Sequence, residues 1–188
     1  MNVNGKLHLR ANGRSEHLAS GSGEDFLFLS PEWISAVSEA VESAKTADIY
    51  FRSLVSDLTL GVVYIIRKIP SALRPHYGGS QRAVISVRLR SGVLERIEIG
   101  SPPPDNGVHL TVTTDYDVAK GLFLGEMSPA LTLMSRRVQA KPAPEFRQWP
   151  KLAAKSLITA SKILRTARKI PTVFDRRHAR SDTKNLPS

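Results

Sequence analysis

Two periods of hydrophobic residues run through the chain. From Ser30 onward, Trp33, Val37, Ala40, Val41 and Ala44 recur at helical spacing and make one apolar stripe. Ser30 ahead of Pro31 reads as the start of that helix. A serine hydroxyl accepts from an otherwise unpaired amide, and proline has no amide to leave unpaired. A second short helix is predicted from about Thr46 to Ser56, with Ile49, Phe51, Leu54 and Val55 available for burial. The period then falls to two. In "LTLGVVYIIRKI", Leu58, Leu60, Val62, Tyr64 and Ile66 share one face of a strand whose other face is also partly apolar. "PSALRPHYGGS" reads as a loop. "QRAVISVRLRSGVLERIEIGS" reads as a hairpin turning at Ser91-Gly92, with its arginines on the solvent side. "SPPPDNG" is a rigid connection, and "VHLTVTT" is a further strand with Val108, Leu110 and Val112 on one side.

After that strand the pattern returns to helical. Tyr116, Ala119 and Phe123 form a stripe, Thr114 or Asp115 stands at the cap, and Asp117 lies in the first turn near the positive end of the helix dipole. Gly125 is the natural residue to end the helix, and Pro129 blocks simple continuation. Phe123, Met127, Leu131, Leu133 and Met134 then crowd into a short stretch. This is more apolar surface than one short helix on a sheet needs. "KLAAKSLITASKILRTARKI" is a long amphipathic helix with Ala153, Leu157, Ala160, Leu164 and Ala167 on one stripe and its lysines on another. Residues 1–25 are expected to be a structureless polar leader and residues 171–188 a structureless basic tail, leaving one domain over 26–170.

Composition changes this picture in two ways. The chain has no cysteine, which excludes disulfides and thiolate zinc sites. The net charge of +10 is confined to one end, since residues 136–188 hold 14 of the 27 Lys and Arg but three of the 17 Asp and Glu. Such asymmetry points to an anionic partner, membrane or nucleic acid, or to a tail kept basic for solubility. With no apolar run of membrane-spanning length and no secretory signal pattern, a cytoplasmic protein is expected. His8, His17, His76, His109 and His178 are scattered, no nucleophile or phosphate-loop motif is present, and no metal or cofactor is expected.

The order of these elements over roughly residues 28 to 168 resembles the sterol carrier protein 2 family of lipid-binding domains. The resemblance is carried by "HLTVTTDYDVAKGLFLGEMSPALTLM" and, more weakly, by "SDLTLGVVYII". The family's two glycines after this block are absent near Arg136 and Pro142, so the mouth of the cavity is expected to differ. The resemblance implies an α+β fold: a mostly antiparallel five-stranded sheet with helices on one face and an apolar tunnel between. It implies non-enzymatic binding of a sterol, fatty acyl chain, acyl-CoA or phospholipid, or its transfer between membranes. The expected wall is Val62, Tyr64, Ile66, Leu110, Val112, Phe123, Met127, Leu131, Met134, Leu157 and Leu164. Lys151, Lys155, Lys162, Arg165, Arg168 and Lys169 are expected to dock the last helix on an anionic membrane surface. The protein is expected as a monomer or homodimer. The alternatives are a structural or dimerising module without transfer activity and, ranked below it, nonspecific nucleic-acid binding through the basic C-terminus.

Overall fold

The computed structural model describes residues 8–9, 25–100, 107–144 and 150–174. In chain order the elements are β1 (His8–Leu9), β2 (Phe26–Leu27), α1 (Pro31–Ala47), α2 (Ile49–Val55), β3 (Leu60–Arg67), β4 (Arg82–Arg90), β5 (Val93–Ile99), β6 (Leu110–Asp115), α3 (Tyr116–Leu124), α4 (Pro129–Met134), β7 (Gln139–Pro142), α5 (Pro150–Ala167) and β8 (Thr172–Val173). A single turn of tighter helix occupies Arg74–Tyr77 in the connection between β3 and β4.

The sheet has the order β5-β4-β3-β6-β7, with the two-residue β1 added outside β5. Its pairs are antiparallel except β3 with β6, which run parallel with Val62 beside Leu110 and Tyr64 beside Val112. The hairpin between β4 and β5 turns where predicted. Ser91 at φ 48° and Gly92 at φ 74° are both left-handed, as a two-residue hairpin loop matched to strand twist requires. The fold is α+β with a mixed, mostly antiparallel sheet, as expected. β7, "QAKP", carries no apolar alternation to mark it as a strand. Its pairing with β6, Leu110 beside Pro142 and Val112 beside Ala140, is what places it.

Helix starts follow local chemistry. The Ser30 hydroxyl accepts from the Trp33 amide at 3.2 Å, and Pro31 opens α1. Asp48 does the same for α2, its carboxylate accepting from the Phe51 amide at 2.9 Å. α3 ends at Gly125, φ 83°, with the amides of Glu126 and Met127 both on the Gly121 carbonyl.

The main core joins the first helix to the end of the chain. The Phe28 ring touches Trp33, Tyr116, Phe123 and Phe174, with ring centres between 4.9 and 5.8 Å apart. Leu27, Ile34, Ile66, Ile69, Leu73, Ala83, Ile85, Ile97 and Ala167 complete it. Two boundaries differ from the sequence reading. His8 and Leu9 pair with Glu98 and Ile97, so the leader carries an edge strand. The tail does not begin at Pro171: β8 pairs in parallel with β2, the Trp33 indole donates to the Thr172 hydroxyl at 3.0 Å, and Phe174 packs in the core. Apolar Val173 and Phe174 gain more by burial than a free tail could. Residues 175–188 lie outside the described residues.

Candidate functional site

One face of the sheet meets the helices, and it is not covered evenly. Strand alternation puts Leu60, Val62, Tyr64 and Ile66 of β3 on that face, with Ile85 and Val87 of β4 on one side and Leu110, Val112 and Thr114 of β6 on the other. Ile66 and Ile85 are buried in the main core. Leu58, Leu60 and Val62 form a second, smaller core. Between the two, Tyr64, Leu110 and Val112 are only half-buried, although β3 and β6 are interior strands. Beyond them Ala140, opposite Val112 on the edge strand, is exposed. A strip of apolar sheet therefore runs from the middle of the molecule to the β7 edge without being fully packed.

Tyr64 marks the inner end of the strip. It touches both cores. Burial pushes its phenol up from the ordinary tyrosine value, and no described residue bonds its hydroxyl. Part of its surface nevertheless stays uncovered. Tyr77 offers a contrast. Burial raises its phenol too, but its hydroxyl donates to the Leu29 carbonyl at 2.7 Å and its ring is packed into the core.

The predicted wall residues divide into three groups. Val62, Ile66 and Phe123 are buried within the two cores. Tyr64, Leu110, Val112, Met127, Leu157 and Leu164 are half-buried. Leu131 and Met134 point outward, 64% and 80% exposed, so they are not wall residues. The reason is local. Thr132 is the buried residue of α4, its hydroxyl donating to the Ser128 and Pro129 carbonyls, and this rotation turns its neighbours on the helix to solvent. Met127 lies over Gly121, where an added Cβ would come within 3.1 Å of its sulfur.

Of the cations on α5 and in the turn after it, Lys155, Lys162 and Arg168 are engaged within the molecule. Lys162 donates to the Asp48 carboxylate at 2.7 Å, and Lys155 pairs with Asp57. The bond from Lys162 holds the Asp48 carboxyl below its ordinary range, and the bond from Lys155 does the same for Asp57. Arg168 donates to the carbonyls of Leu122 and Phe123, the open end of α3. Arg165 and Lys169 are exposed, and the Lys151 side chain lies outside the described residues. α5 thus packs on α1, α2, α3 and α4, bridging the helical layer above the sheet.

Two further groups have structural roles. Asp115 stands at the start of α3, but its carboxylate makes no cap. It accepts from Lys68 at 2.6 Å and Arg67 at 2.8 Å, and the Lys68 bond holds it below the usual carboxylate range. His109 Nδ1 accepts from the Gly61 amide at 3.0 Å, joining the start of β3 to the segment before β6. A recess of about 190 Å³ lies on the opposite face of the sheet, lined by Gly61, Val63, Ser86, Arg88, Arg96, Glu98 and Gly107 among others. It is small and lined by polar and apolar groups alike. Arg96 pairs there with Glu98.

No family model matches the chain, and no curated protein matches it in sequence. Solved structures do match. A conserved hypothetical protein from Thermus thermophilus, suggested to be a sterol carrier protein, superposes with a TM-score of 0.57 at 15% identity, over 82% of this chain and 97% of its own. A crystal structure of sterol carrier protein 2 superposes with a TM-score of 0.51 at 17% identity, over 72% of this chain and 95% of its own. The chain has the sterol carrier protein 2 fold. The sterol carrier protein 2-like domain accounts for the helical layer, the mixed sheet and their order along the chain. The strip through Tyr64 and Val112 lies between those two layers.

Proposed function

We propose that the protein binds the hydrocarbon part of a lipid between its sheet and helices, performs no chemistry on it, and carries it to or from a membrane. The observation that carries this reading is the incompletely covered strip of Tyr64, Leu110 and Val112, continuous with open Ala140 at the edge. Interior strands are ordinarily packed closely, and a mostly apolar space with few polar groups suits an oily ligand. The fold's likeness to a sterol carrier protein supports the same reading.

Energetics shape how such a carrier works. Each methylene removed from water contributes about 0.8 kcal/mol, so a 16-carbon chain gains on the order of 12 kcal/mol in the protein. A bilayer offers nearly as much, so exchange is close to balanced and contact with the membrane controls it. Of the cations expected to make that contact, Arg165 and Lys169 remain exposed, while Lys155, Lys162 and Arg168 hold the helices together. Docking through the end of α5 and the turn after it is therefore proposed to rest on the first two. A cytoplasmic, peripherally membrane-bound protein follows as part of this proposal.

Native mass spectrometry of gently purified protein, followed by organic extraction, tests the reading. A bound species that dissociates on extraction and is identified as a sterol, acyl chain or phospholipid is expected. Protein that is free of lipid and refuses a fluorescent fatty acid in solution would overturn it and favour a structural module.

A further inference from the structure

We propose that α4 is the element that enters the lipid surface, and that the surface is anionic. The inference rests on the lipid-binding reading for its purpose, but its evidence is separate. Leu131 and Met134 are three residues apart on a helix, so they share a face, and that face looks outward. Their exposure is fixed by the inward, hydrogen-bonded Thr132 and by the Val138 amide bonding the Thr132 carbonyl at 3.1 Å. A loose loop would not hold two large apolar side chains in water; this short helix does.

Charge identifies the partner. Beyond Met134 the chain turns at Arg136, φ 57°, and exposes both Arg136 and Arg137 before entering β7. From Leu124 to Lys141 the only acidic residue is Glu126, against Arg136, Arg137 and Lys141. Exposed apolar side chains followed directly by exposed arginines match the boundary between acyl chains and anionic headgroups, where the apolar groups enter hydrocarbon and the cations stay with phosphate. A nucleic acid would use the cations and leave Leu131 and Met134 in water, so it fits less well. The position also has a use. α4 leads through this turn into β7, where Ala140 lies open beside Val112. Inserting α4 brings the open end of the strip to the bilayer.

The absence of cysteine makes a direct test practical, because Met134→Cys supplies a unique attachment point. An environment-sensitive dye there is expected to shift to the blue on vesicles of phosphatidylcholine mixed with phosphatidylserine, and to be quenched by quenchers placed on the acyl chains. The same dye at Ser43→Cys, exposed on α1, is expected to remain in water. In co-sedimentation, the pair Leu131→Ser and Met134→Ser is expected to lower partition into those vesicles by about tenfold through lost apolar burial. The pair Arg136→Gln and Arg137→Gln is expected to remove about tenfold of the preference over pure phosphatidylcholine. A dye at position 134 that stays in water, or serine variants that sediment like the parent, overturns the proposal. Uptake of a fluorescent fatty acid from solution keeps the two readings apart. The serine pair is expected to retain it, since neither residue lines the strip. A parent chain that takes up no probe while its α4 dye still enters vesicles would sink lipid carriage and leave membrane docking standing.

Discussion

Single residues fix several local structures through chemistry that is complete within a few positions. Ser30 is one. Its hydroxyl holds the Trp33 amide, and Trp33 in turn anchors Thr172 through its indole. Ser30→Ala is expected to cost about 1 kcal/mol, read as a lower urea midpoint with unchanged slope. Gly61 is a different case. An added Cβ would lie 1.8 Å from the Gly107 carbonyl oxygen, and the atoms it meets are backbone of Gly107 and Val108, which cannot swing aside as a flexible side chain would. Gly61→Ala is expected to destabilise by about 2 kcal/mol or more, measured the same way. The capping role was legible because Ser-Pro before an apolar helical stripe has one meaning. The demand at Gly61 was not, because Gly107 is distant in sequence and approaches only when His109 ties the two segments.

At the scale of elements, α5 is held by ion pairs and a cap that span the chain. Asp48 and Asp57 have carboxyls depressed by Lys162 and Lys155. Their contribution is present above the ordinary carboxylate pKa and is lost as pH falls through the depressed folded values. Stability is therefore expected to decline on acidification below the usual carboxylate range, with added salt reducing the effect because both pairs are near the surface. Replacing Lys155 and Lys162 by Met is expected to flatten this decline, measured by urea midpoints across pH. Arg168 acts differently, donating to the last carbonyls of α3 at its negative end, where a cation is favoured. The amphipathic character of α5 was plain from its sequence. Which lysines faced solvent was not: a spacing pattern assigns faces but does not say that Asp48 and Asp57 arrive beside two of them.

For the molecule as a whole, the chain after Pro171 and the strip beneath the helices matter most. Phe174 packs on Phe28 and Phe123. Phe174→Ala is expected to cost about 2 kcal/mol, less than a fully buried phenylalanine because it is only half-buried. Thermal unfolding would show it. In the strip, Val112→Trp is expected to fill space without unfolding the protein, and to reduce fatty-acid uptake several-fold in a fluorescence titration. Unchanged uptake would place the ligand elsewhere.

The sequence by itself determined the elements whose causes are local: the capped start of α1, the alternation of β3, the hairpin at Ser91-Gly92, the end of α3 at Gly125. It also carried enough order to suggest the sterol carrier protein 2 fold. Tertiary structure decided the rest. It made a strand of "QAKP" by pairing it with β6, drew Thr172–Phe174 into the core, and turned Leu131 and Met134 outward while leaving Tyr64 and Val112 partly uncovered. Hydrophobicity counts how much apolar surface a segment has, but only packing between distant segments determines which of that surface is covered.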